Sequence, residues 1–242
     1  MVMRTGFVWR ESAPGALALG LLGVWAWSGT LGDARMMGSA PGTMGMPLAA
    51  FVAMWALMMT AMMTPAITPV ATLWALNVSR TTTPVIRTLR LAVFVAGYLL
   101  AWAASGSLAW LLMSGIESWL EPRPQFMKAV AVSVFALAGV YQLTPWKRSC
   151  LANCRSPLML VARYASLRHP FRDLHAGLHH GLYCLGCCWA LMAVLATVGL
   201  MNIAAMVTLT VLIFLEKMLP AKWRLTQLVG LAFLGIAAWL AL

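Results

Sequence analysis

The stretch PLAAFVAMWALMMTAMMTPAITPVATLWAL, residues 47–76, carries no charged side chain. A helix needs about 20 apolar residues to cross a bilayer, and this run is longer. Pro65 and Pro69 fall inside it. Each removes a backbone donor, so the spacing predicts a spanning helix over Pro47–Leu76 that both prolines interrupt. Working outward, similar apolar runs cover roughly Gly15–Leu31, Thr88–Met113, Phe126–Leu143, Leu182–Leu200, Ile203–Leu219 and Leu225–Leu242. The expectation is an all-α, polytopic transmembrane helix bundle of about seven helices, with residues 1–242 forming one integral membrane domain.

Composition agrees. The chain is 62% hydrophobic and 10% charged, where an ordinary soluble domain is about 25% charged. A water-soluble fold of this size would have too little polar surface to face water. The first apolar run is long for a signal peptide and lacks a small-residue cleavage site, so it reads as a retained helix.

The net charge of +11 reflects orientation rather than nucleic-acid binding. With the N-terminus inside, the inner segments hold Arg4, Arg10, Arg80, Arg87, Arg90, Lys147, Arg148, Arg155, Arg163, Arg168, Arg172, Lys217, Lys222 and Arg224. Only Arg35, Arg123 and Lys128 remain outside. Cytoplasmic loops carry excess Lys and Arg, so the expected topology has a cytoplasmic N-terminus.

All five cysteines lie between residues 150 and 188, as Cys150-x3-Cys154 and Cys184-x2-Cys187-Cys188. The four histidines, His169, His175, His179 and His180, sit between the two groups. Spacings of three and four put side chains on one helical face. Cys150 with Cys154, and Cys184 with Cys187 or Cys188, therefore present thiol pairs, and His175 with His179 an imidazole pair just before the helix at Leu182. Free cysteines are often small buried hydrophobes, but a cluster this dense, with none elsewhere, points to metal ligation. Thiolate and imidazole suit Cu(I) and Zn(II). The expected metal is Cu(I), with zinc as the alternative. A reducing cytoplasm argues against structural disulfides here.

The 18 methionines are uneven too. The expected outer loop, Gly32–Met46, contains Met36, Met37, Met44 and Met46. Met54, Met58 and Met62 recur every four residues down the helix at Pro47–Leu76, with Met59 and Met63 on an adjacent face. Thioethers stay neutral, form no disulfides and favour Cu(I). Methionine at this spacing is ordinarily interface filler, but an exposed Met-Gly-Met run has no core to fill. The ligand reading has outer methionines capturing the ion, the stripe passing it inward, and the thiols receiving it.

Glu216 sits near the inner end of the helix at Ile203–Leu219. An ionisable group there needs a partner or water. The expectation is that Lys217 reaches the interface and leaves Glu216 facing the bundle, as a counter-charge for a cation or a partner for an arginine. No nucleotide-binding loop, acid pair or Ser–His–Asp set is present, which argues against an enzyme.

Three segments carry a family resemblance. They are WALMMTAMMTP at Trp55–Pro65, YQLTPWKRSCLANCR at Tyr141–Arg155, and GLHHGLYCLGCCWALM at Gly177–Met192, followed by Gly199-Leu-Met-Asn202 and Glu216-Lys217. In these the chain resembles a bacterial family of predicted metal-binding integral membrane proteins, a domain of unknown function. The resemblance implies a bacterial inner-membrane, multi-pass location and a metal site. It highlights Met58, Met59, Met62, Met63, Cys150, Cys154, His180, Cys184, Cys187, Cys188, Met192, Met201 and Glu216.

The leading expectation is a metal-handling membrane protein for Cu(I) uptake, delivery or sequestration. Its expected partners are the lipid bilayer, the metal ion, and other membrane subunits or a metallochaperone. The second reading is an accessory or assembly subunit of a larger membrane metalloenzyme, since Gly20-x2-Gly23 permits close helix contact. The third is a membrane thiol–disulfide redox protein with a reversible Cys184–Cys187 bond.

Overall fold

The computed structural model describes residues 5–38, 42–79, 82–119, 124–165, 169–220 and 223–242. Arg4, Arg80, Arg123, Arg168 and Lys222 of the orientation count lie outside them. Among the described residues the chain is all helix, without strands, in nine elements. They are α1 (Thr5–Met37), α2 (Leu48–Ser79), α3 (Pro84–Trp119), α4 (Pro124–Leu143), α5 (Pro145–Cys154), α6 (Pro157–Ala165), α7 (Arg172–Val198), α8 (Ile203–Met218) and α9 (Leu225–Ala241). Segments within α1, α2, α3, α4 and α7, five helices in all, are long and apolar enough to cross a membrane. The 16-residue α8 and 17-residue α9 are shorter than the usual span.

Two expectations about α2 and its preceding loop change. α2 runs unbroken through Pro65 and Pro69. Proline is tolerated inside a helix that neighbouring helices hold in a packed bundle. Thr60, Thr64, Thr68 and Thr72 donate to the carbonyls of Ala56, Thr60, Thr64 and Thr68 along this segment. α1 also extends to Met37, so Met36 and Met37 belong to its last turn and not to the loop.

The polar stretch before α7 is mostly helix. Thr144 caps α5, its hydroxyl accepting from the Lys147 N–H at 3.3 Å, and Pro145 takes a first-turn position where its missing donor costs nothing. Pro157 opens α6 after a two-residue break. α7 then begins at Arg172, ten residues ahead of the apolar run at Leu182. His175, His179 and His180 therefore lie on α7 and not before it. Gly199, at φ +113°, ends α7, and the Asn202 side chain caps α8 by accepting from Ala205 N–H at 3.1 Å.

α1 packs on α2, α2 on α3, α3 on α7, and α4 on α9. The α3–α7 contact decides where the site sits. A Cβ at Gly177 would collide with the Phe94 carbonyl, and one at Gly181 would meet the Ala101 Cβ at 2.7 Å. Glycine lets the two backbones approach this closely. Asp173, in the first turn of α7, fixes the register. It takes two hydrogen bonds from Arg90 at 2.8 and 2.9 Å and one from the Trp74 indole at 3.1 Å. Gly23, by contrast, packs on Thr64, and Gly20 faces open space.

Candidate metal centre

Cys184, Cys187 and Cys188 fall at i, i+3 and i+4 on α7, so one face presents all three. Their Sγ atoms lie within 4.8 Å of one another, and all three side chains are buried. Cys187 and Cys188 each donate to the Cys184 carbonyl, at 3.1 and 2.8 Å, which turns both thiols back toward Cys184.

α5 adds a fourth thiol from across a helix contact. Cys154 Sγ donates toward Cys187 Sγ at 3.9 Å. The closest thiol pair recorded between two helices is thus Cys154–Cys187, and all five cysteines are free. Cys150, one turn earlier on α5, is half-buried against Gly186, where an added Cβ would come within 2.9 Å of its Sγ. The hydrogen bond to Cys187, then burial, pushes the Cys154 thiol well above its ordinary range. Burial pushes Cys150 up as well, with a smaller opposing effect from Lys147.

Polar groups from two further helices close on the thiols. The Tyr98 hydroxyl of α3 lies 3.0 Å from Cys184 Sγ. The Lys217 ammonium of α8 lies 2.9 Å from the same sulfur, with the residue 4% exposed. Lys217 does not turn outward from the bundle, contrary to expectation. It points inward, because the α8 face bearing Glu216 and Lys217 packs against α5 and α7. The Glu216 carboxylate instead accepts from Lys147 at 2.7 Å and from Gln142 at 3.2 Å, a buried pair joining α4, α5 and α8. Arg155 donates to the Glu216 carbonyl at 2.8 Å. Glu216 is therefore committed to Lys147 beside the centre, while the cation facing the sulfurs is Lys217.

The histidines divide by depth. His175 is exposed and its ring neighbours His169. His179 is half-buried, edge-on to Tyr183 at 4.7 Å. His180 is 2% exposed and stacks on Tyr98 at 5.8 Å, one turn before Cys184.

The methionines are arranged differently. Met54, Met58, Met59, Met62 and Met63 are buried in the common apolar core with α3 and α7 side chains. Met192 and Met201 are buried there too. Met36 is 79% exposed, whereas Met37, Met44 and Met46 pack partly against the core. The Met-Gly-Met run thus has a core to fill. Glu117 at the end of α3 accepts from both the N–H and the hydroxyl of Thr43, and Trp110 donates to the Met46 carbonyl at 2.9 Å, drawing the loop down.

Sequence reasoning missed Tyr98, Lys147, Asp173 and Lys217 as parts of this region. A lysine beside a glutamate in an apolar helix, Glu216-Lys217, was the available signal for the last. Four thiols, one buried cation and a phenol form a soft-donor site that suits a monovalent ion held by sulfur.

A family model described as a copper chaperone, PpoB2, matches residues 52–240. The match takes in all five cysteines and the α2 methionines from Met54 onward, and stops short of Met36, Met37, Met44 and Met46. No curated protein and no solved structure matches the chain.

Proposed function

The chain belongs to the PpoB2 copper chaperone family, and from that premise we propose that it is an inner-membrane protein that binds Cu(I) at Cys154, Cys184, Cys187 and Cys188 and hands it on. The observation that carries this reading is the convergence of the three α7 thiols within 4.8 Å, with Cys154 reaching Cys187 from α5. Cu(I) accepts two or three sulfur donors and is favoured by thiolate over harder ions. Two thiolates and Cu(I) make a complex of net charge −1. The Lys217 ammonium against Cys184 balances that charge in surroundings where an uncompensated ion is costly. Zn(II) held by four thiolates would carry −2 and leave one charge unbalanced. Tyr98, stacked on His180, holds Cys184 from the α3 side.

On the orientation set by the basic segments, the thiols face the cytoplasmic half of the bilayer, where thiols stay reduced. Delivery to a target or chaperone on that side is the role we assign. Cys150 stands one turn from Cys154 and is the donor available for exchange with a partner. The methionine stripe of α2 offers thioethers toward the other half of the bundle.

X-ray absorption at the copper edge of the anaerobically loaded protein tests the assignment. Sulfur-only coordination of two or three atoms is expected. A shell dominated by nitrogen or oxygen would contradict it and point to the histidines as the resident ligands.

A further inference from the structure

A cavity of about 350 Å3 lies between α5, α6 and α7, and its lining includes Asn153, Met159, Arg163, His179, His180 and Tyr183. The lining runs from surface to core, since Met159 is 71% exposed and His180 2%. Its donors are softer than water but weaker than thiolate. The buried Nδ1 of His179 has no hydrogen-bond partner among the described residues. At its floor, His180 stacks on Tyr98, whose hydroxyl touches the Cys184 sulfur. On its α5 wall, Asn153 adjoins Cys154, the thiol that meets Cys187.

A larger cavity of about 440 Å3 lies at the other end of α7, against the end of α1. Met201 is its single soft donor, so it offers no ladder toward the thiols.

We propose that the α5–α6–α7 cavity is the port through which Cu(I) enters and leaves the thiol centre, with Met159 and His179 as its outer ligands and His180 as the step before Cys184. This rests on the reading of the thiols as the copper site. His180 and Cys184 are one helical turn apart, so an ion on one is within reach of the other. The outer steps exchange the Met159 Cu–S bond for a Cu–N bond to His179 and that for one to His180; the last replaces the His180 Cu–N bond with a Cu–S bond to Cys184, all at unchanged oxidation state, and the displaced thiol proton leaves through the mouth to solvent. Imidazole and thioether bind Cu(I) less tightly than thiolate, so the port passes the ion without retaining it. Arg163 at the rim favours a carrier that brings copper as an anionic complex.

The test separates rate from affinity. Cu(I) is supplied as its bicinchoninate complex to the full-length protein in detergent, and both loading and stripping are timed alongside the equilibrium distribution. His179→Ala slows both directions by about tenfold or more, the cost of losing one stabilised station, and leaves the equilibrium within about twofold. Ala162→Trp, which plugs the same cavity from an exposed position on α6, does the same. Leu158→Trp, equally bulky but absent from the lining, keeps wild-type rates. Unchanged rates in both port variants would overturn the proposal. So would an affinity loss in proportion to the slower loading, which would make His179 a resident ligand. If the wild type takes up no copper, the thiol centre itself fails and the port falls with it.

Discussion

The thiol centre and the methionine-rich half use the same element, sulfur, in opposite ways. At the centre, donors from α5 and α7 converge, and the Tyr98 hydroxyl and the Lys217 ammonium are tied to them. In the methionine half, donors recur along one helix and are held by apolar packing, as Met58, Met59, Met62 and Met63 are in the core. Convergence across elements makes a site, whereas periodicity along one element is equally what a packed helix needs. The charges differ as well. The centre contains the buried cation Lys217 and the buried pair Lys147–Glu216. The loop before α2 is instead held by Glu117 of α3, whose carboxylate is spent on Thr43.

The largest effect that would break this contrast is at the buried pair. Lys147→Met leaves Glu216 uncompensated, and losing one partner of a buried ion pair typically costs about 3–5 kcal/mol. Thermal unfolding in detergent should show a large drop in midpoint. A small drop would mean the pair is wet and does not pin α5 to α8.

Next in size is Lys217→Met, which removes the charge beside the sulfurs and keeps the side-chain volume. Copper affinity should fall by about 10–100-fold, as for other groups that tune metal ligands from outside the coordination sphere. Lys217→Arg should recover part of it. Equal affinity in all three proteins would remove charge balance from the account.

A smaller effect comes from pH. Cys154 is held above the ordinary thiol range, so it is protonated near neutrality and gives up a proton on joining the metal. Copper affinity should therefore fall as pH falls, by about tenfold per unit for each proton displaced. Competition titrations between about pH 6 and 8 would read the slope. A flat profile would mean that the bound thiols are already ionised.

The smallest effect is expected in the other half. Replacing Met36, Met37, Met44 and Met46 with leucine should change equilibrium copper affinity by less than about threefold, because Leu–Met swaps preserve packing and the ion rests on thiols. A larger loss would extend the site to the segment ahead of α2 and erase the contrast.

The apolar runs made the helix centres legible, because spanning length and lack of charge are local properties. Helix ends were less so. α1 reaches Met37 and α7 starts at Arg172, since polar turns at the ends of a helix carry no hydropathy signal. Thr144-Pro145 did mark the start of α5, a capping signal inside a stretch that reads as polar loop. Clustering gave the thiols as a group, but not that Cys154 faces Cys187, nor that Lys217 turns inward. Those depend on how closely α3, α5, α7 and α8 approach. The spacing Gly177-x3-Gly181 was the written trace of that approach.

The most direct test of the central claim is elemental analysis of protein purified after anaerobic exposure to Cu(I), with the wild type beside Cys184→Ser/Cys187→Ser. The account predicts about one copper per chain, the load of a single thiolate site, lost in the double variant. Copper retained in the double variant, or zinc in place of copper in the wild type, would contradict it.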